Sequence, residues 1–382
     1  MAFRLRESLL YGGLRLAKVL DRRRPDATQL GSAAIGHILV VSSTAIGDTL
    51  LSTPALRSLR LAYPAARISL LINVAYEELF RDHPRVDELI PYHGGYRRFL
   101  RLVRQLRARR FDLACILHGN EPQATPLAYL SGARFIFKLP NTSRFRFLLT
   151  NAEPVLGWDD FAHGIDQRLA VAGLGGGAAT DRRMELPIAD AARREVAALA
   201  ARQGIVAGTP LLALQAGAST RSRRWAPSRH AALARRLLAE RPDLHIVLTG
   251  SPTERALTES IAAAVASTRL WNAAGELPLR LLPALVERCA VMVSGDTGPM
   301  HMAVAAGTPV VALFAVSDWR RSGPAYDLER HIVIQKWRTC EPCLSKNCPY
   351  DEPICMENTS VDEVYGALRT LLDRRIAMRS AY

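Results

Sequence analysis

The stretch Ser294-Gly295-Asp296-Thr297-Gly298-Pro299-Met300-His301 follows a short apolar run, Cys289–Val293, and leads through Met302–Gly307 into a second run, Thr308–Phe314. Apolar runs of this length, rich in β-branched residues, read as buried parallel strands, with a polar glycine turn and a short helix between them. In such a βαβ unit the turn sits at the carboxyl end of the first strand, where the helix start aims free N–H groups outward. Asp296, Thr297 and His301 place three polar side chains around that helix start, which suits an anionic ligand. The same residues could instead serve only to cap the helix.

Three further stretches carry candidate chemistry. Asp48 is the sole carboxylate of the turn Ser42–Thr49; it either steadies a helix start or, as a charged and partly exposed group, takes a proton from an attacking hydroxyl. Gln215–Trp225 ends a strand in the small residues Gly217, Ala218 and Ser219, which let a ligand approach the backbone, and then supplies Arg221, Arg223 and Arg224. Arginine pairs bidentately with phosphate oxygens, although an exposed arginine loop can equally be solvated surface. Glu254, in Gly250-Ser251-Pro252-Thr253-Glu254, either accepts hydrogen bonds from ribose hydroxyls or caps the helix that follows. Near the end of the chain Cys340, Cys343, Cys348 and Cys355 form C-x2-C-x4-C-x6-C. Four thiolates suit a tetrahedral structural zinc or iron; free or oxidisable thiols are the other reading.

The elements that must position these residues alternate along the chain. A basic helix is expected over residues 1 to about 24, ending in Arg22-Arg23-Arg24-Pro25; it either packs on its own domain or rests on an anionic membrane surface. Strands are expected at Ile35–Val41, Arg67–Ile72, Glu88–Pro91, Leu113–Leu117 and Arg134–Lys138, with helices after the Asp48 turn to about Tyr63, near 75–81, at Tyr96–Arg109 and at 122–131. His118-Gly119-Asn120 falls at the carboxyl end of the fourth strand. Periodicity lapses between Ala172 and Pro187, where a linker is expected, and then resumes. Helices at 189–203, 227–240, 252–265 and 278–288 alternate with strands at Leu211–Gln215, Leu244–Thr249 and Leu270-Trp271, and an amphipathic helix closes the chain from Val361 to Met378. The fold class is α/β, with two doubly wound Rossmann-like domains whose carboxyl-end loops face each other across a cleft. The expected divisions are a basic helical extension at 1–34, a first domain at 35–175, a second at 186–358 that contains the cysteine cluster, and a terminal helix at 360–382.

Composition sets the outer bounds. A chain of 382 residues with 49 % hydrophobic and 23 % charged residues is long enough for two cores and is not a disordered chain. The net charge of +14 comes almost wholly from arginine and favours anionic partners, but no nucleic-acid motif or aromatic platform accompanies it, so nucleic acid is not expected as a partner. No run approaches a membrane span and the N-terminus lacks a secretory signal, so a cytoplasmic location is expected.

Ala45-Ile46-Gly47-Asp48-Thr49-Leu50-Leu51-Ser52-Thr53-Pro54-Ala55-Leu56, Gly217-Ala218-Ser219 with Arg223-Arg224-Trp225, and Asp296–His301 through Gly307-Thr308-Pro309-Val310 together resemble the ADP-heptose:lipopolysaccharide heptosyltransferases, glycosyltransferase family 9, over roughly residues 35–375. The resemblance implies a GT-B fold and an inverting transfer of heptose from ADP-heptose to a hydroxyl of an anionic, lipid-linked saccharide of the lipopolysaccharide core. It implies no cofactor for catalysis, and work at the inner face of the cytoplasmic membrane. By the same resemblance Asp48 is the general base, and Gly217, Ser219, Arg223, Arg224, Asp296, Thr297, Gly298 and His301 surround the donor, with Glu254 near its ribose. Arg223 stands where the family usually has lysine. Transfer to protein or to another glycan, and a non-catalytic nucleotide-sugar scaffold, are the alternative readings.

Overall fold

The structure, a computed structural model, describes residues 2–380 except 22, 24, 120, 152, 342, 345 and 346, with the backbone alone at 2–6 and 375–380. Arg22 and Arg24 of the expected helix end, and Asn120 of the 118–120 loop, therefore lie outside the described residues. The chain divides into two compact units, one ending at Pro187 and the other beginning at Ile188.

The first unit is a five-stranded parallel sheet in the order β3-β2-β1-β4-β5, formed by β1 (His37–Ser42), β2 (Arg67–Asn73), β3 (Glu88–Tyr92), β4 (Leu113–His118) and β5 (Phe135–Lys138). β1, β2 and β4 are buried almost throughout, as strands covered by helices on both faces must be, and so they read in sequence as unbroken apolar runs. The chain winds outward from β1 through β2 to β3 and then crosses to β4 on the other side. The carboxyl ends of β1 and β4 thus flank the topological switch point, where loops diverge and leave a crevice.

The second unit repeats the plan with six parallel strands in the order β11-β10-β9-β6-β7-β8: β6 (Leu211–Gln215), β7 (His245–Thr249), β8 (Leu270–Asn272), β9 (Val291–Gly295), β10 (Val310–Phe314) and β11 (Ile332–Gln335). Its switch point falls between β6 and β9, below the 216–225 and 294–301 loops. The terminal helix Val361–Ser380 belongs to this unit; Val364, Tyr365, Leu368, Leu371 and Leu372 complete its core with Trp225, Leu233 and Leu237.

Several elements differ from expectation for identifiable reasons. The helix after Asp48 is two helices, Ile46–Leu51 and Thr53–Ala62, because Pro54 has no N–H to continue the ladder; the Thr53 hydroxyl takes over, donating to the Leu50 carbonyl at 2.8 Å. The element near 75–81 is a 3-10 helix, Val74–Phe80, and the basic helix begins only at Phe99, after Gly94 and Gly95 turn the chain at positive φ. β9 lies two residues later than expected, since Cys289 caps the preceding helix and Gly295 pairs with Leu313 of β10. β11 was not expected. It is a four-residue edge strand, half-buried, and too short for its pattern to stand out.

Candidate functional site

In the first unit the switch point gathers a polar cluster. Asp48 sits in the first turn of helix Ile46–Leu51, just after β1, where its carboxylate oxygen Oδ1 accepts from Arg168 Nη2 at 2.9 Å and Oδ2 accepts from the Thr44 hydroxyl at 2.9 Å. The Ala45 side chain makes no capping bond to this helix. Arg168 comes from helix Gly164–Leu174 and is buried; it also donates to Ser52 Oγ at 3.1 Å and to the Gly164 carbonyl at 2.7 Å. A buried guanidinium with all three acceptors in place holds the carboxylate in one orientation.

His118, the last residue of β4, stands across the switch point with Nδ1 2.6 Å from Thr44 Oγ1 and Nε2 3.4 Å from Asp48 Oδ1. The Thr44 hydroxyl lies within hydrogen-bond distance of both Asp48 Oδ2 and His118 Nδ1 and so ties the carboxylate to the imidazole. Burial holds the imidazole down to about 4, with Arg168 adding to the effect and Asp48 opposing it. Glu121, half-buried and accepting from Ser43 Oγ at 3.2 Å, is pushed up by desolvation. Lys138, at the end of β5, is lowered by burial to about 8 and donates to the Gly119 carbonyl at 3.1 Å. The exposed ring of Trp158 borders His118 at 6.2 Å between centroids. The cluster therefore sets two partly exposed carboxylates, Asp48 and Glu121, among the cations Arg168 and Lys138.

Arg168, Thr44, Glu121, Lys138 and Trp158 were not singled out from sequence. Arg168 had a readable signal: it shares a helical stripe with Ile165 and Val171-Ala172, an apolar face on which a lone arginine needs a buried partner.

In the second unit the two loops at the switch point interlock. A Cβ at Gly295 would lie 2.6 Å from the Arg223 carbonyl oxygen, so only glycine lets the 220–224 turn approach β9 this closely. That approach sets Arg223 Nη2 3.5 Å from Asp296 Oδ2, and Ser317 Oγ donates to the same oxygen at 2.8 Å. Asp296 is buried and Arg223 partly exposed. The Thr297 hydroxyl bonds Ser294 Oγ at 2.8 Å and makes no capping bond to helix Gly298–Ala305. His301 is buried in that helix.

Two other predicted residues have structural work. Arg224 donates from Nε and Nη2 to the Ala218 carbonyl, at 3.1 and 2.9 Å, and so closes its own loop. Glu254 forms a capping box, accepting from Ser251 N at 2.8 Å and Ser251 Oγ at 3.0 Å. Its carboxylate also lies against Gly217, where an added Cβ would be 2.0 Å from Oε1. Gly217, Glu254, Arg223, Asp296 and Thr297 thus share the carboxyl ends of β6, β7 and β9; Ser219 is exposed in the same loop. An arginine, a helix start and backbone glycines at one sheet end can hold a diphosphate.

The four clustered cysteines line one recess with Ser222, Val316, Pro349 and Ile354. Cys355 is buried and its thiol is raised, first by burial and then by Cys343 and Cys348. Among the described residues no three His, Cys, Asp or Glu side chains are grouped to hold a metal ion, so the metal reading of this cluster has no geometric support. Cys115, in β4, and Cys289, which caps the helix before β9, are both buried.

The model of glycosyltransferase family 9 (heptosyltransferase) matches residues 99–353. The chain is 30 % identical over 299 residues to lipopolysaccharide heptosyltransferase 2 of Salmonella typhimurium, covering 73 % of this chain and 83 % of that one. Among solved structures it resembles the E. coli ADP-heptose lps heptosyltransferase II, with a TM-score of 0.73 and 24 % identity over 88 % of this chain and 99 % of that one. It also resembles the E. coli heptosyltransferase WaaC with ADP-2-deoxy-2-fluoro heptose, at a TM-score of 0.62 and 16 % identity over 87 % and 99 % of the two chains. These two likenesses establish the GT-B type of fold expected from sequence. The chain belongs to glycosyltransferase family 9 and is a glycosyltransferase.

Proposed function

We propose that the chain transfers heptose from ADP-heptose to a hydroxyl of a lipopolysaccharide core acceptor, with inversion and without a catalytic metal. The observation that carries this reading is the Asp48 carboxylate, fixed by Arg168 and Thr44 at the switch point of one sheet, in a chain whose other sheet offers Arg223 and an uncapped helix start at its own. The names of its relatives support heptose as the sugar and lipopolysaccharide as the destination.

In the proposed step the acceptor hydroxyl oxygen forms a bond to the anomeric carbon of heptose while the bond from that carbon to the diphosphate oxygen breaks. The hydroxyl proton passes to Asp48, and the electron pair leaves with ADP. A single displacement of this kind inverts the anomeric centre. Negative charge grows on the departing diphosphate, where Arg223 and the N–H groups at Gly298 stabilise it. A neutral His118 beside Asp48 adds no competing positive charge. The acceptor is read as an anionic, lipid-linked saccharide, which places the enzyme at a membrane surface; among the described residues no helix is long and apolar enough to cross a membrane.

The test is a panel of nucleotide sugars screened for protection against thermal unfolding, followed by a transfer assay with lipopolysaccharide core acceptors that lack heptose and that already carry one. Protection by ADP-heptose and appearance of ADP only with acceptor are the expected results. Protection by a different nucleotide sugar alone would overturn the donor assignment.

A further inference from the structure

We propose that helix Ala2–Leu20, together with the start of helix Phe99–Arg107, forms a docking surface for an anionic lipid bilayer. This deepens the functional reading above and rests on it for the acceptor's place in a lipid leaflet; the docking itself is measured apart from transfer.

Helix Ala2–Leu20 is apolar on two opposite stripes. Leu10, Tyr11 and Leu14 pack into the first unit's core beside Phe99, Leu102 and Leu106. Leu9, Leu16 and Leu20, spaced by seven and four residues, share the other stripe with Gly12 and Gly13 between them, and Val19 flanks it. These four side chains are 64–72 % exposed. Exposed leucines scattered singly are ordinary on a protein surface, but a continuous stripe is not.

The stripe also extends onto a neighbouring element. Leu9 lines an open recess with Tyr96, Arg97, Phe99 and Leu100, and Leu100 is itself 70 % exposed. The surroundings are basic. Arg97 and Arg98 just before the second helix and Arg101, Arg104 and Arg107 along it are exposed, and residues 93–110 contain no carboxylate. On the first helix Arg15 is exposed on the flank of the stripe, stacked 4.4 Å from the Phe147 ring centroid, and the one acidic residue, Glu7, faces Arg144 at 3.8 Å.

An apolar stripe rimmed by arginine, on a helix too polar to cross a membrane, fits the boundary between headgroups and acyl chains: leucines enter the hydrocarbon while guanidinium groups meet phosphate. The charge chooses between occupants. A second copy of this chain would set one arginine rim against another with only Glu7, already facing Arg144, to offset them, whereas an anionic leaflet supplies the missing counter-charge.

Co-sedimentation of the full chain with vesicles decides the point. Mixed phosphatidylethanolamine and phosphatidylglycerol vesicles should bind it and pure phosphatidylcholine vesicles should not. Replacing Leu9, Leu16 and Leu20 by serine should lower binding by about 100-fold, since three partly inserted leucines are lost. Each of Arg97→Glu and Arg101→Glu should lower it by at least about five-fold. Thermal protection by ADP-heptose should be unchanged in all of them, which also shows that they fold. No vesicle binding by the unaltered chain, equal binding by the triple variant, or a dimer in light scattering that the triple variant abolishes would each overturn the docking surface. Vesicle binding retained in the absence of any ADP-heptose protection would instead overturn the donor assignment and leave the docking surface standing.

Discussion

Replacing Arg168 by methionine keeps an unbranched stem and removes the guanidinium, with its charge and its donors. Three acceptors then each lose one donor: Asp48 Oδ1 at 2.9 Å, Ser52 Oγ at 3.1 Å and the Gly164 carbonyl at 2.7 Å. A charge-assisted bond is worth about 1.5–3 kcal/mol and a neutral one about 1 kcal/mol. Asp48 is partly exposed and can recover some hydration, so the sum is reduced to about 3 kcal/mol rather than the larger cost of a fully buried orphan charge. In a unit of this size that lowers its melting temperature by about 6–12 °C. Urea unfolding of Arg168→Met, Asp48→Asn and the double variant should give a coupling of about 1.5–3 kcal/mol. The same arginine aims the proposed base, so kcat should fall while the KM for donor stays near its original value. A coupling below about 0.5 kcal/mol would mean that the two residues do not act as a pair and would refute the reasoning.

Other expectations concern stability and the donor half of the chemistry. His83, His118, His230 and His331 are each held down to about 4 by burial, against 6.5 in an unfolded chain. The unfolded state therefore binds more protons between these values, so stability is full above about pH 6.5 and drops as the pH falls toward 4, by up to about 1.4 kcal/mol per pH unit for each histidine. Urea titrations at a series of pH values should show this fall; a flat profile would mean that the imidazoles are hydrated. Gly295→Ala must displace the Arg223 carbonyl and should weaken ADP-heptose binding about ten-fold or more by calorimetry, at a stability cost of about 1–3 kcal/mol. Arg223→Ala should raise the donor dissociation constant about 10–100-fold and Arg223→Lys should recover part of the loss.

Much of the scaffold was legible because parallel strands covered on both faces are plain apolar runs. Helix Pro227–Glu240 and β6 fall on the residues expected, and β10 starts two residues later than its apolar run, after Pro309; each is bounded by proline, glycine or polar turn residues. Local chemistry the pattern does not encode accounts for the rest: Pro54 divides a helix, Gly94 and Gly95 delay another, and β11 is too short to register. The same holds for the site. Asp48, Asp296 and Thr297 announce themselves as polar residues in turns after apolar runs. Arg168 lies 120 residues from Asp48 in the chain, and Lys138 and Glu121 become neighbours of the cluster only because β4 and β5 follow β1 in the sheet. Glu254 shows the converse, since its capping box is fully local and its position against Gly217 comes from the adjacency of β6 and β7.

The most direct measurement is transfer from ADP-heptose to a lipopolysaccharide core acceptor by Asp48→Asn, with donor affinity measured on the same preparation. The neutral amide keeps the shape of the side chain and cannot take the proton of the acceptor hydroxyl. Turnover should fall by at least about 10²–10⁴-fold, while ADP-heptose affinity stays within a few-fold of the unaltered protein. Near-normal turnover by this variant would contradict the account, because the proton would then leave by another route and the geometry around Asp48 would have no part in the chemistry.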